Sequence, residues 1–345
     1  MDSSVAAYLT KQHGFDCVGI TMKLFENEDI GLVNTRTCCS LDDVADARAV
    51  AHKLDMPFYV ADFTDDFKAE VIERFISAYK NGATPNPCID CNRYMKFEKL
   101  YFRGKQLEAD YIVSGHYARI EYDNSSKRWL LKKAVDDTKD QSYVLYSMTQ
   151  EQLQHTLLPL GGLQKSEVRE IAEAQGFINA HKRDSQDICF VPDGDYAKFI
   201  EGYTGETYAE GNFVDKQGNV LGLHKGLVRY TIGQRKGLGI AFQKPMYVCE
   251  KNVENNTVTL CEDSELFTQS FEASDFNWIA IERPLSPIRV KAKVRYKHTE
   301  QWSTAERISH EIVRIEFDEP QRAIAKGQAV VLYDGDIVVG GGTII

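Results

Sequence analysis

The chain has 345 residues, 43% hydrophobic and 27% charged, with a formal net charge of −10. That length suggests roughly two or three domains, and that balance excludes a disordered or fibrous polypeptide. The acidity excludes indiscriminate nucleic-acid binding, which Lys and Arg dominate, but permits a local basic surface on an acidic body.

The chain opens MDSSV, without the basic-then-apolar pattern of a secretory signal. It contains no apolar run of the ~18 residues that a membrane helix needs. A cytoplasmic protein is expected. Asp2, Ser3 and Ser4 are good helix-capping residues, with Val5, Ala6 and Leu9 on one face and Gly14 as a stop. Residues 17–24 (CVGITMKL) read as a buried strand that includes Cys17, residues 42–54 as a helix and 57–63 (PFYVADF) as a second strand. Phe67, Val71, Phe75 and Tyr79 recur at helical spacing and predict an amphipathic helix over 65–80. A further helix is expected over 94–107 and a third strand over 111–114. Strand and helix alternating in this way predict an α/β domain with a parallel sheet.

Beyond about residue 200, short alternating runs are separated by turn signals such as Lys216-Gln217-Gly218-Asn219 and Asp334-Gly335-Asp336. Residues 290–296, 312–317, 329–333 and 337–339 read as antiparallel strands of a small barrel or sandwich. The expected domains are 1–200, 201–268 and 269–345.

Eight cysteines inside a reducing compartment point to catalysis or metal binding rather than to staples. Cys38 and Cys39 are adjacent, and Cys88 and Cys91 form a CxxC. The segment TPNPCIDCN (84–92) is the most informative: its prolines fix an extended loop, and Cys91 is expected at or near the start of the next helix. A thiol there lies in positive potential, reinforced by Arg93 and Lys96, which favours the nucleophilic thiolate. Three readings stay open for it: a reactive thiol, a metal or iron–sulfur ligand, and an inert loop cysteine. Cys189, before Phe190, reads alone as a buried small hydrophobe, and Cys249 and Cys261 as structural residues of a hairpin. Asp-Ser-Ser at a helix start suits phosphate, against the plainer reading of ordinary capping. Gly115, after the third strand, lies where α/β sheets take ligands, and His116 beside it reads as a hydrogen-bonded structural histidine. Lys139-Asp140-Gln141, the 224–237 segment and an alternation of Lys291, Lys293, Arg295 and Lys297 along one strand suit RNA, although such charge is commonly a solvated face.

Taken in order, TPNPCIDCNRYMKF (84–97), SGHYAR (114–119), KDQSYVLY (139–146), SQDICF (185–190) and GLVRYTIGQRKGLGI (226–240) closely resemble the tRNA-specific 2-thiouridylase family across essentially the whole chain. The resemblance implies an adenine nucleotide alpha hydrolase-like domain with a PP-loop of the SGGxDSS kind, a small central domain and a C-terminal β-barrel. Asp2, Ser3 and Ser4 match the second half of that loop, so the chain reads as short at its start. Met22 and Gly115 match nucleotide contacts. Asn86, Pro87 and Cys88 match the segment facing the target base, with Cys88 where relatives often carry Asp. Lys139, Asp140 and Gln141, with Arg295 and Tyr296, match tRNA contacts. Cys91 matches the nucleophile and Cys189 the persulfide carrier.

The implied reaction is ATP-dependent 2-thiolation of the wobble uridine, U34, with Mg²⁺ accompanying ATP. The implied partners are tRNAs of the Lys, Glu and Gln type and a sulfur donor such as a cysteine desulfurase or relay protein. Two alternatives are a related ATP pyrophosphatase acting on a small molecule and an iron–sulfur enzyme or protein using Cys88, Cys91 and Cys189 as ligands.

Overall fold

The N-terminal region is organised by two short parallel ladders rather than one continuous sheet. A computed structural model describes residues 1–26, 41–182, 188–191 and 193–345; Cys38, Cys39 and the Ser185-Gln186-Asp187 part of the SQDICF block lie outside them. The strands of this region are β1 (Gly19–Lys23), β2 (Phe58–Asp62), β3 (Ile112–Val113), β4 (Ala118–Asp123), β5 (Arg128–Lys133) and β6 (Thr156–Leu157). β1 pairs parallel with β2 from Gly19 opposite Phe58 to Lys23 opposite Asp62, and β3 pairs parallel with β6. A cavity of about 270 Å³ is lined from both ladders, by Gly19, Ile20, Ile112 and Val113, and by Ser3 and Ser4 of the N-terminal helix, Asp2–Gln12. Cys17, expected within the first strand and its core, instead precedes β1 and is half-buried, because parallel pairing begins only at Gly19.

The amphipathic stripe from Phe67 to Tyr79 folds as expected, as Thr64–Phe67, Lys68–Ile72 and Glu73–Lys80, with the middle piece wound as a π-helix. Its Phe67, Val71 and Phe75 are fully enclosed with Met95 and Ile200, and Phe190 is nearly so. Burying each such side chain contributes about 1.5–3 kcal/mol, which makes this aromatic cluster the anchor of the region.

The middle region holds β7 (Gly211–Val214), β8 (Val220–His224), β9 (Tyr247–Asn252) and β10 (Thr257–Cys261), ordered β8-β7-β10-β9 with β7 and β10 parallel. Phe213, Val248, Val258 and Leu260 fill its core.

The C-terminal strands are β11 (Phe267–Trp278), β12 (Ile288–Lys293), β13 (Gln301–Arg307), β14 (Val313–Arg322), β15 (Ala329–Asp334) and β16 (Ile337–Ile344). Ordered β11-β14-β13-β12-β15-β16, they close into a six-stranded antiparallel barrel because β16 also pairs with β11. Along β14, Val313, Ile315 and Phe317 point inward while Arg314, Glu316 and Asp318 face out, the alternation a barrel wall requires. β12 ends at Lys293, so Arg295 and Lys297 lie in the turn after it and do not continue one strand face. The β4–β5 hairpin, although early in the chain, extends this sheet through Ile337 opposite Lys132.

Candidate active site

The N-terminal helix starts against the loop that follows β3. Gly115 packs so closely that a Cβ there would lie 2.6 Å from the Ser3 backbone nitrogen, so only glycine fits without displacing backbone. Asp2 accepts from Lys165 Nζ at 2.8 Å on each oxygen and from Tyr117 Oη at 3.0 Å. Ser4 is buried and its Oγ accepts from Asn179 Nδ2 at 2.9 Å, whereas Ser3 is exposed. Asp2, Ser3 and Gly115 therefore stand together. Tyr117 belongs to the SGHYAR block, whereas Lys165 and Asn179 carried no local signal; only the fold brings those two in.

His116 is buried, with Nδ1 2.6 Å from Ser114 Oγ and Nε2 3.5 Å from Lys96 Nζ. Burial, reinforced by the Lys96 charge, holds its pKa well below the usual histidine value, so the ring is neutral at physiological pH. A neutral ring satisfies both contacts at once, donating from Nδ1 to the serine and accepting the ammonium on Nε2. This links the loop after β3 to the helix that carries the CxxC.

That motif helix starts earlier than expected. Asn86 caps it by accepting from the Cys88 backbone nitrogen at 3.2 Å, and Pro87 fills the first position with its preset φ. The chain then runs as Pro87–Asp90, a π-helical Cys91–Lys99 and Leu100–Gln106. Cys91 thus sits just past the first turn, near the helix start as expected, and Cys88 occupies that first turn, exposed. The cap and the proline, which decide the start, both precede Cys91.

Cys91, Cys189 and Met22 all pack on the aromatic cluster around Phe67, Phe75 and Phe190. The sequence left open whether the two cysteines meet; the fold sets them on one apolar surface, from segments almost a hundred residues apart. Cys249 and Cys261 lie apart from this surface, on β9 and β10, with Cys249 pushed up to about 12 by burial and by its hydrogen bond with Cys261.

The 139–141 loop is built by its own side chains. Asp140 Oδ1 accepts from the Ala134 and Ser142 backbone nitrogens at 3.0 and 3.2 Å, and Oδ2 from Ser142 Oγ at 2.8 Å. Gln141 Oε1 accepts from the Tyr117 nitrogen at 2.9 Å, and Tyr296 Oη donates to the Asp140 carbonyl at 3.0 Å. Burial raises the Tyr296 phenol pKa, with Asp140 and Cys88 adding to it. Arg295 turns inward to the Ala323 and Arg322 carbonyls. Lys139 is half-buried, and Arg289 and Lys291 lie over the exposed Trp302 ring at 5.5 and 5.4 Å. In the 224–237 segment, Arg229 is committed to Glu201 at 2.6 and 2.7 Å, while Arg235 and Lys236 are exposed.

Among the described residues, no group of three or more His, Cys, Asp or Glu is gathered to hold a metal. Cys88, Cys91 and Cys189 are accordingly not gathered as one such donor set, with Cys88 exposed while Cys91 and Cys189 pack on the aromatic cluster. No helix among them is long and apolar enough to cross a membrane.

Residues 1–193 match the family described as tRNA methyl transferase HUP domain, residues 197–262 the tRNA methyl transferase PRC-barrel domain, and residues 268–344 the Aminomethyltransferase beta-barrel domain. The chain is 52% identical to the tRNA-specific 2-thiouridylase MnmA of Clostridioides difficile (strain 630), over 100% of this chain and 95% of that protein. It is 50% identical to the protein of the same name from Lachnoclostridium phytofermentans, over 100% and 97% of the two chains.

Proposed function

This chain belongs to the tRNA-specific 2-thiouridylase family, and from that membership and its site we propose that it exchanges O2 of the tRNA wobble uridine, U34, for sulfur. The observation that carries the reading is the packing of Cys91 and Cys189, with Met22, on one apolar surface. Sulfur transfer through a persulfide needs two thiols within reach of each other and of one substrate atom.

In the proposed reaction, uridine O2 attacks the α-phosphorus of ATP, pyrophosphate leaves and O2 becomes part of a good leaving group. The terminal sulfur of a Cys189 persulfide attacks C2, and AMP departs with the C2–O bond pair. The Cys91 thiolate then attacks Cys189 Sγ. The S–S pair moves onto the transferred sulfur, releasing 2-thiouridine and leaving a Cys91–Cys189 disulfide. A two-electron dithiol reductant restores both thiols.

ATP would occupy the crevice lined by Ser3 and Ser4, where Gly115 packs directly on the Ser3 backbone. Asp2, Ser3, Ser4, Met22 and Gly115 would hold it, with Mg²⁺ neutralising its phosphates. The loop at Lys139–Gln141, joined to Tyr296, would receive the anticodon arm, and Asn86, Pro87 and Cys88 would face the base. Expected substrates are tRNAs of the Lys, Glu and Gln type. A cysteine desulfurase or relay protein would load Cys189, in a cytoplasm that keeps thiols reduced.

The test is 2-thiouridine content, by nucleoside mass spectrometry, in cells lacking their own enzyme and expressing this protein, Cys91→Ser or Cys189→Ser. Thiolation restored by the parent and absent from both variants is expected. Folded protein without thiolation overturns the assignment.

A further inference from the structure

The segment that precedes the motif helix is held by parts of the chain far from it. Thr84 N donates to the Lys326 carbonyl at 2.8 Å, and the Thr84 carbonyl accepts from Gln328 Nε2 at 2.6 Å. Both partners lie in the turn entering β15 of the barrel. Gly327 between them has φ +85, and a Cβ there would lie 2.9 Å from the Ala83 Cβ and 3.1 Å from Thr84 N. The turn and the segment thus touch backbone to backbone. The middle region adds a third hold: Lys251 Nζ donates to the Tyr230 carbonyl at 2.9 Å and to the Ala83 carbonyl at 3.4 Å.

The other side of the motif is fastened to the same barrel. Arg93, two residues past Cys91, forms a two-pronged ion pair with Asp275, Nη2 to Oδ1 at 3.2 Å. Asp275 stands at φ +50, where β11 changes register between Ser274 and Asn277. That strained bulge aims the carboxylate out of the barrel wall. Between these two anchors run Pro85, Asn86 and Pro87, whose fixed φ angles and cap leave little slack.

We infer that Gln328 and Asp275 of the barrel are positioning residues for the Cys91 thiol, holding the Thr84–Arg93 stretch at both ends so that Cys91 stands in register with Cys189. The inference rests on the reading of Cys91 and Cys189 as the reacting pair. The barrel therefore serves as the template against which the thiol is set. Anything that shifts the barrel, bound RNA included, is transmitted to Cys91 through two short connections.

The experiment measures disulfide formation between Cys91 and Cys189 in the full chain equilibrated with reduced and oxidised glutathione, read by peptide mass spectrometry. One thiolate displaces glutathione to give a mixed disulfide; the other displaces the second glutathione, so two electrons pass to the oxidant. The ratio of the two steps gives the effective concentration of one thiol at the other. Gln328→Met keeps size without a donor, and Asp275→Asn keeps tolerance of positive φ without the charge. Each is expected to lower the effective concentration about tenfold or more, as small misplacements do. Arg314→Ala, on the exposed barrel wall opposite Glu272, is expected to match the parent.

Hydrogen exchange over residues 83–92 should rise in the two variants while the barrel stays protected, which separates mispositioning from unfolding. In steady state their kcat should fall with KM for tRNA unchanged. A parent protein that forms no Cys91–Cys189 disulfide overturns the functional reading and this inference with it. A parent that forms the disulfide, with both variants at its effective concentration, overturns the positioning role alone.

Discussion

Lys165 Nζ lies 2.8 Å from both carboxylate oxygens of Asp2, across 163 residues of sequence. The pair joins the start of the N-terminal helix to a later helix at the edge of the proposed nucleotide crevice, and its lysine is almost buried. Removing one partner strands the other. Lys165→Met should cost roughly 1–3 kcal/mol, less than a fully buried pair because Asp2 is partly exposed. Adding Asp2→Asn should recover part of that loss. Urea unfolding of the two single variants and the double gives the coupling, and strictly additive losses would contradict it.

Gly115→Ala places a methyl 2.6 Å from the Ser3 nitrogen. Backbone has to move, at a cost of about 1–3 kcal/mol. The affinity for ATP should fall at least tenfold, because the displaced group lines the crevice; the check is equilibrium binding of a fluorescent ATP analogue beside thermal unfolding. A stability loss with unchanged affinity would remove Gly115 from the nucleotide site.

The neutral, buried His116 sets a pH dependence. Its folded pKa is depressed, so its contribution to stability is present above the unfolded value of about 6.5 and is lost as pH falls from there toward the lower folded value. The slope approaches about 1.4 kcal/mol per pH unit for one proton. His116→Gln, which keeps an amide donor and acceptor without titrating, should flatten the unfolding-midpoint curve between about pH 6.5 and 5. Parallel curves would mean that the ring does not discriminate between its protonation states.

Asp90, inside the CxxC, behaves oppositely. Burial, partly offset by Arg74 and Arg93, pushes its carboxyl up to about 6. The folded state then holds a proton that the unfolded chain releases, so this group adds stability as pH falls from about 6 toward 4. Asp90→Asn removes a buried charge and should stabilise the protein at about pH 8, by on the order of 1–3 kcal/mol. The gain should vanish below about pH 4, where both side chains are neutral. Chemical denaturation at the two pH values decides it; destabilisation at pH 8 would show that the attraction of the Arg74 and Arg93 charges outweighs the burial cost.

Much of this fold was legible where a signal is local. The Phe67–Tyr79 stripe, the alternation along β14 and the turn residues between barrel strands follow directly from side-chain period and turn chemistry. The capped start of the motif helix was also written locally, in Asn86 and Pro87, although the helix was expected to run only over 94–107. What was not legible is pairing over distance. Nothing in residues 118–133 indicates that their hairpin extends a sheet built mostly from residues after 266. Nothing near Asp2 points to Lys165. The basic alternation was misjudged for a related reason: Arg295 satisfies the Ala323 and Arg322 carbonyls after the strand has ended. Charge read along a sequence does not say which cations are already engaged.

The central claim, that Cys91 and Cys189 act as one pair, is tested most directly in a single turnover. Protein carrying a persulfide on Cys189 is mixed with ATP and unmodified tRNA without reductant, then quenched with an alkylating agent and mapped by peptide and nucleoside mass spectrometry. The expected result is a Cys91–Cys189 disulfide appearing in step with 2-thiouridine, about one for one. Thiouridine formed while Cys91 stays reduced and alkylatable would contradict the pairing.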